Sequence, residues 1–285
     1  MKPLPELLQT MPARLVAMFV VLAALDVVCQ LLGGVLVRAA PVLFKDPARL
    51  AAALLLSGAM IAVYRWLVRS LERRSADELG SVGAARGLAV GTAAGALLFA
   101  LVCLLLWSQG AVAFRGYAGL AGVGRALAVA IASATGEEIV FRGVVFRLLE
   151  GRLGSMLALI LSAAAFGATH AGNPGATWVS TLAIALEAGV LLGLAYVATR
   201  SLWLPIGLHF GWNFTEGGIF GAAVSGGHYT GVVNAPLSGS PLVTGGAFGP
   251  EASLAALAVS LAASGLLAWW AVRAGAWRPW RSKAA

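Results

Sequence analysis

Residues 125–149 read RALAVAIASATGEEIVFRGVVFRLL, an apolar run interrupted by Glu137, Glu138 and Arg142. About 20 apolar residues are enough for a helix to cross a hydrocarbon core of about 30 Å. Lipid offers no partners to unpaired backbone groups, so a run of this length predicts a transmembrane helix. Ionisable side chains inside such a helix cost roughly a few kcal/mol each near the bilayer centre, and they usually mark a functional site.

Other apolar runs of similar length fill most of the 285-residue chain. The sequence is 60% hydrophobic and only 11% charged, whereas soluble domains carry about 25% charged residues. We therefore predict an all-α fold: a polytopic membrane bundle of about eight transmembrane helices that forms a single domain over residues 1–285. The predicted spans are residues 13–37, 50–68, 87–107, 125–149, 155–171, 178–199, 206–220 and 252–272.

The positions of the basic residues predict the orientation of the bundle. The formal net charge of +8 comes from Lys and Arg residues that flank the apolar runs. This pattern is typical of membrane topology and gives no reason to expect a nucleic-acid partner. We expect a multi-pass protein of the cell membrane with both termini cytoplasmic and with its first span retained. The loops on the opposite side then hold only five basic residues, Arg38, Lys45, Arg49, Arg115 and Arg125.

The charged residues of the span 125–149 fall on two faces of the helix. Glu138 and Arg142 are four residues apart with the acid first, which is the favourable order for an ion pair. Glu137 lies about 100° further round the helix, where it is free to face a cavity and to act as a general base. A structural ion pair that fixes helix packing explains Glu138 and Arg142 equally well, but it explains Glu137 poorly.

Two later spans add imidazole and amide groups. His170 lies in the span 155–171, and His209 and Asn213 share one face of the span 206–220. Taken singly, each of these side chains is more often a hydrogen bonder between membrane helices than a catalyst. Together with the two acids they supply a base and donors for a developing oxyanion, so the set indicates a site that activates water.

Three sequence motifs carry a resemblance to a known family. Residues 137–142 have the form EExxxR, residues 166–170 the form FxxxH, and residues 209–213 the form HxxxN. In this order, on successive apolar helices, they resemble the motifs of the CAAX protease and bacteriocin-processing family, which includes the Ras-converting CAAX endopeptidases. The similarity covers about residues 125–214, so the first three spans and the tail add little to it.

The resemblance implies an eight-helix intramembrane glutamic endopeptidase, and we expect this protein to need no cofactor. Glu137 would activate the hydrolytic water, and His170 would help to position it. His209 and Asn213 would stabilise the oxyanion, and the Glu138–Arg142 pair would support the site. The implied partners are the lipid bilayer and a peptide or protein substrate reached through the membrane.

Three alternatives stay open at this point. Two histidines and a glutamate also match zinc chemistry, although the chain has no HExxH helix and Arg142 would oppose a dication. Intramembrane acids and histidines build proton relays in transporters as well, but we see no inverted repeat. A non-catalytic scaffold or immunity protein of the same fold would carry the motifs without using them.

Other features of the sequence are less informative. Asp26 favours a helix contact or snorkelling, Glu187 is equally consistent with a cavity wall and with helix packing, and Glu216 is expected near the interface, where solvation is easy. The Gly-rich loop 221–250 has no assigned role. The bias toward Ala, Gly and Arg is typical of a bacterial protein, and nothing in the chain identifies its substrate.

Overall fold

The computed structural model of the chain describes residues 10–280, apart from the side chain of residue 43. The predicted cytoplasmic position of the termini concerns residues outside this range. Within the range, eight long helical segments make up the bundle. They are α1 (Met11–Ala39), α2 (Lys45–Glu72), α3 (Ala84–Ser108), α4 (123–153), α5 (155–169), α6 (Trp178–Thr199), α7 (203–219) and α8 (Leu254–Arg273).

The prediction of an all-α membrane bundle is confirmed. Within residues 10–280 there is no β-strand, and five helices, α1, α2, α3, α6 and α8, are long and apolar enough to cross a membrane. The remaining helices, α4, α5 and α7, are the ones that carry the polar motif residues or end at them. The count of eight transmembrane helices therefore stays a prediction.

A glycine separates α4 from α5. Helical hydrogen bonding continues on both sides of this point, but Gly154 has a φ of 74° and a ψ of 170°, which breaks the helix. A side chain there would also meet the backbone nitrogen of Trp280 at 2.6 Å. Only glycine adopts this conformation without strain and leaves that space free. The break matches the predicted gap between the spans 125–149 and 155–171.

Short elements join the long helices. Single 3₁₀ turns cover Val42–Phe44, Asp77–Leu79, His170–Gly172 and Pro250–Ala252, and a four-residue helix covers Pro241–Thr244. The Gly-rich loop 221–250 pairs with the loop between α3 and α4: the N–H of Arg115 donates to Asn234 O at 2.8 Å, and the N–H of Asn234 donates to Gly116 O at 2.9 Å. The two loops thus form one layer at the same end of the bundle.

The tightest helix pair is α3 against α7. A Cβ atom on Gly91 would overlap the carbonyl oxygen of Leu204, and one on Gly95 would overlap that of Leu208. Gly207 and Gly211 of α7 fit the backbone of α3 just as closely. Small residues let helix backbones touch in this way. The contact fixes α7, and with it the side chains that α7 directs into the bundle.

Candidate active site

Glu137 of α4 faces His170, which begins the 3₁₀ turn after α5. The Nε2 atom of His170 lies 3.9 Å from Oε2 of Glu137. This separation is longer than a hydrogen bond and is suited to a bridging water. Oε2 of Glu137 has no hydrogen-bond partner among the described residues, so it is available as a proton acceptor.

The ring of His170 is oriented by its own helix. Nδ1 lies 2.8 Å from the carbonyl oxygen of Phe166, one turn earlier in α5. A carbonyl oxygen only accepts hydrogen bonds, so Nδ1 carries the proton in the neutral ring and Nε2 keeps its lone pair. The FxxxH spacing therefore aims a basic ring nitrogen at the carboxylate of Glu137.

Glu138 and Arg142 form a fully buried ion pair. Nη1 of Arg142 donates to Oε1 of Glu138 at 2.8 Å, and both side chains are almost completely shielded from solvent. The same carboxylate oxygen lies 3.0 Å from Nδ1 of His209 on α7. Since a carboxylate accepts, Nδ1 of His209 donates. Glu138 thus ties the arginine of α4 to the histidine of α7.

The other side of the Arg142 guanidinium is bound by α6. Nη2 donates to the carbonyl oxygens of Ala188 at 2.8 Å and Gly189 at 3.2 Å. These carbonyls belong to a π-helical stretch, Ala185–Gly189, and a second π-helical stretch, Ile139–Phe146, follows Glu138 in α4. π-Helical turns within α-helices are frequent at functional sites. The guanidinium also lies over the ring of Phe166, 4.6 Å from its centroid.

Asn213 completes the set one turn after His209. Its Nδ2 atom reaches Oγ of Ser133 on α4 at 3.5 Å, which is a weak hydrogen bond. The amide donor is therefore not committed to a strong partner. His209 and Asn213 share one face of α7, as their spacing predicts.

Two cavities meet at His170. A large one of about 1050 Å³ lies between α1, α2 and α4 and is lined by Ser133, Glu137 and His170. A small one of about 20 Å³ is lined by His170, His209 and Asn213; this is enough room for one water molecule. Four of the six motif residues thus line these two cavities, and Glu138 and Arg142 are linked to them through the hydrogen bond between Glu138 and His209. The chemical roles given to them stay predictions.

Further acids surround the small cavity. Glu187 of α6 lines it, as does Glu251 of the turn Pro250–Ala252. Glu216 of α7 interacts electrostatically with both and is fully buried, with 0% of its surface exposed. The expectation that Glu216 is solvated near the interface is therefore wrong, because α7 turns this residue toward the bundle centre.

Sequence reasoning missed Glu251 altogether. Its Oε1 accepts hydrogen bonds from the backbone N–H of Ser225 at 2.6 Å and from the Ser225 hydroxyl at 2.7 Å. Burial raises the pKa of the Glu251 carboxyl, while these hydrogen bonds act in the opposite direction. The signal in the sequence was slight: one acid directly before the last apolar run, in a loop with almost no charge.

The metal alternative finds no obvious ligand set. Among residues 10–280, no group of three or more His, Cys, Asp or Glu side chains is arranged to hold a metal ion. The cation bound to Glu138 is instead the guanidinium of Arg142. Independence from a metal stays a prediction, which a chelator assay can test.

The fold and this cluster define a class: an all-helical, multi-pass membrane protein with acid, imidazole and amide groups at its centre. The comparison with protein families narrows it. A family model described as "Type II CAAX prenyl endopeptidase Rce1-like" matches residues 118–215, which include all six motif residues. This region is therefore similar to the Rce1-like domain of CAAX proteases, and the similarity indicates a protease. No curated protein and no solved structure matches the chain.

Proposed function

We propose that this protein is an intramembrane endopeptidase that hydrolyses a peptide bond with a water molecule activated by Glu137, without a metal ion. The observation that carries this proposal is the 3.9 Å gap between Oε2 of Glu137 and Nε2 of His170, at the wall of the large cavity. A water in this gap would meet two proton acceptors. The family match supports peptide hydrolysis as the reaction.

In the first step, a water between the two side chains loses a proton to the Glu137 carboxylate, and its oxygen attacks the substrate carbonyl. Nε2 of His170 accepts the second hydrogen of the water as a hydrogen bond and holds the oxygen in place. In the second step, the tetrahedral intermediate breaks its C–N bond. Glu137 returns the proton to the leaving amine, so the carboxylate is regenerated and all atoms of the water end in the products.

Negative charge on the carbonyl oxygen would be held by His209 and Asn213. Because Nδ1 of His209 donates to Glu138, only a doubly protonated His209 has a second donor, at Nε2, for the oxyanion. The Glu138 carboxylate supports this imidazolium form. With Arg142 and Glu137 ionised as well, the centre then holds two negative and two positive groups and is neutral overall.

The test is the substitution Glu137→Gln in purified protein reconstituted into liposomes. The amide keeps the size of the side chain but accepts no proton, so hydrolysis should fall by roughly 10²- to 10⁴-fold while thermal stability is unchanged. Substrates are found by comparing the peptides released from membranes that express the wild type or this variant. Asp77→Asn is the matched control, since Asp77 is an exposed acid that does not line the cavity.

Cleavage that survives in Glu137→Gln would contradict the proposal. Dialysis against a chelator is the second arm of the test. Activity that is lost on dialysis and restored by zinc would replace the metal-free mechanism with a metal-dependent one.

We also propose that the protein acts in the cell membrane with both termini in the cytoplasm. Labelling of single cysteines introduced near residues 115 and 278, from either side of intact cells, tests this orientation.

A further inference from the structure

The large cavity has a basic end and an acidic end. Arg38 at the end of α1, Arg49 in the first turns of α2 and Arg125 at the start of α4 all line one end. Asp26 and Glu137 line the cavity deeper in the bundle. The three arginines come from three different helices, so their meeting is a property of the fold and not of one charged segment.

The basic end is short of negative charge. Arg49 is bound by Asp46, with Nη1 2.5 Å from Oδ1. Neither Arg38 nor Arg125 forms an ion pair with any residue in the described part of the chain; the guanidinium of Arg125 lies 5.2 Å from the ring centroid of Tyr229. Both side chains are exposed, so their two positive charges are accessible to an anion from outside the chain, and a carboxylate pairs well with a guanidinium.

Arg38 is directed into the cavity and not away from it. Its guanidinium nitrogens lie 3.7 Å from the position that a Cβ atom would occupy on Gly34, one turn earlier in α1. The side chain therefore folds back along its own helix over Gly34, which lines the same cavity. The glycine leaves room for this conformation, because no side chain at position 34 competes for the space.

The walls between the two ends suit an extended peptide. Several small residues lie among larger apolar ones in these walls and leave room for a backbone: Gly33, Ala52, Ala128, Ala132 and Gly136. Polar side chains are spaced along the same surface and could pair with peptide groups: Gln30, Ser133, Thr169 and Asn173. A lipid acyl chain cannot form hydrogen bonds with these polar side chains, whereas a peptide backbone can. The polar lining therefore favours a peptide over a phospholipid as the occupant.

The distance between Arg125 and Glu137 along α4 indicates how many substrate residues fit between the two ends of the cavity. Arg125 and Glu137 are on one helix, and at about 1.5 Å of rise per residue their Cα atoms are roughly 18 Å apart. An extended chain covers about 3.3 Å per residue, so this distance corresponds to about five residues of substrate.

We propose that the arginine end of the large cavity is a binding site for a carboxylate of the peptide substrate, about five residues from the bond that is cleaved. The carboxylate belongs either to the C-terminus of the substrate or to an acidic side chain. This inference rests on the proposed protease activity, and it adds a site that selects substrates by charge and position.

The experiment uses fluorescent peptides of one apolar sequence that carry a single carboxylate three to eight residues from the scissile bond. The carboxylate is supplied as a free C-terminus or as a Glu in an amidated peptide. Binding to the Glu137→Gln variant is measured by anisotropy, and hydrolysis by the wild type is measured separately. We expect the tightest binding and the lowest KM near five residues.

Arg38→Gln and Arg125→Gln should each raise KM about tenfold, as expected when one charge-assisted pair worth roughly 1.4 kcal/mol is lost, with kcat nearly unchanged. Arg115→Gln is the matched control, because Arg115 is an exposed arginine of the neighbouring loop and does not line the cavity. Its KM should stay at the wild-type value.

The outcomes separate the two proposals. Binding that depends on the arginines but is not followed by hydrolysis would uphold the carboxylate site and overturn the protease function. Hydrolysis that is indifferent to the carboxylate, its position and the arginines would overturn the site and leave the function standing. Absence of any peptide binding overturns the site. If phosphatidylglycerol liposomes, compared with phosphatidylcholine liposomes, displace the peptide only when Arg38 and Arg125 are present, the site is a lipid headgroup site and the peptide proposal is wrong.

Discussion

Two groups of buried acids lie next to each other in this protein. They differ in whether a cation is bound to them. In the paired cluster, Glu138 is held by Arg142 and His209. In the unpaired cluster, which consists of Glu187, Glu216 and Glu251, no Lys or Arg within residues 10–280 forms an ion pair with any of the three carboxyls. All four carboxyls of the two clusters are at most 3% exposed.

The contrast between the two clusters shows that burial alone does not set the charge state of an acid. A buried carboxylate is tolerated when a guanidinium neutralises it and further hydrogen bonds complete the pair. Acids without a cation avoid the cost of a buried charge by keeping their protons. The paired cluster is therefore an arrangement fixed by an ion pair, and for the unpaired cluster, which has no cation, we expect neutral carboxyl groups.

The largest expected effect is on the paired cluster. Arg142→Met removes the guanidinium but keeps an apolar stem, so Glu138 is left buried without its cation. We expect a loss of about 3–5 kcal/mol in the free energy of unfolding, measured by unfolding in mixed detergent micelles. Arg152→Met on the same helix is the control, because Arg152 is exposed. Equal losses in the two variants would show that the ion pair is not the source of stability.

An intermediate and pH-dependent effect is expected for Glu251→Gln. Burial raises the pKa of Glu251 in the folded protein above its ordinary value, so this carboxyl binds its proton more tightly in the folded state than in the unfolded one. The stabilisation of the folded state by this proton is fully present at pH values below the ordinary pKa of glutamate. It is lost as the pH rises through the pKa that Glu251 has in the folded protein. The glutamine variant does not titrate at this position.

The stability of the wild type relative to Glu251→Gln should therefore fall as the pH rises, by at most about 1.4 kcal/mol per pH unit. The measurement is a series of unfolding curves of both proteins between acidic and mildly alkaline pH. A difference that instead grows with pH would mean that the folded state holds Glu251 as an anion, and the contrast between the two clusters would disappear.

The smallest effect is expected for Ser225→Ala. This change removes the hydroxyl that donates to Glu251 but keeps the backbone N–H that donates to the same oxygen. A single hydrogen bond contributes about 0.5–1.5 kcal/mol, so the loss in unfolding free energy should lie in this range. Ser240→Ala serves as the reference, since Ser240 is exposed. A loss no larger than in that reference variant would mean that the hydroxyl does not stabilise Glu251.

The sequence predicted the helices and the helix faces that the motif residues share, because both depend on local spacing. Apolar length located the eight helical segments, and the spacing of four residues placed Glu138 by Arg142 and His209 by Asn213 on shared faces. The burial of Glu216 was predictable by the same reasoning: residues 209, 213 and 216 follow the spacing of one helix face. Its position near the end of an apolar run wrongly suggested solvent.

The burial of Glu251 could not have been predicted in this way. Its hydrogen-bond partner Ser225 lies 26 residues earlier in the chain, and the two meet only because the Gly-rich loop folds back over the bundle. The division of the site into two cavities at His170 has the same origin, since it depends on how α1, α2 and α4 pack against one another. Sequence periodicity contains neither kind of information.

The glycine contact between α3 and α7 has a consequence for the energetics of catalysis. Backbones that touch at Gly95 and Gly211 cannot rotate against each other without first separating. In the proposed mechanism, His209 and Asn213 would thus be oriented before the substrate binds, and no free energy would be needed to align them when charge develops on the substrate.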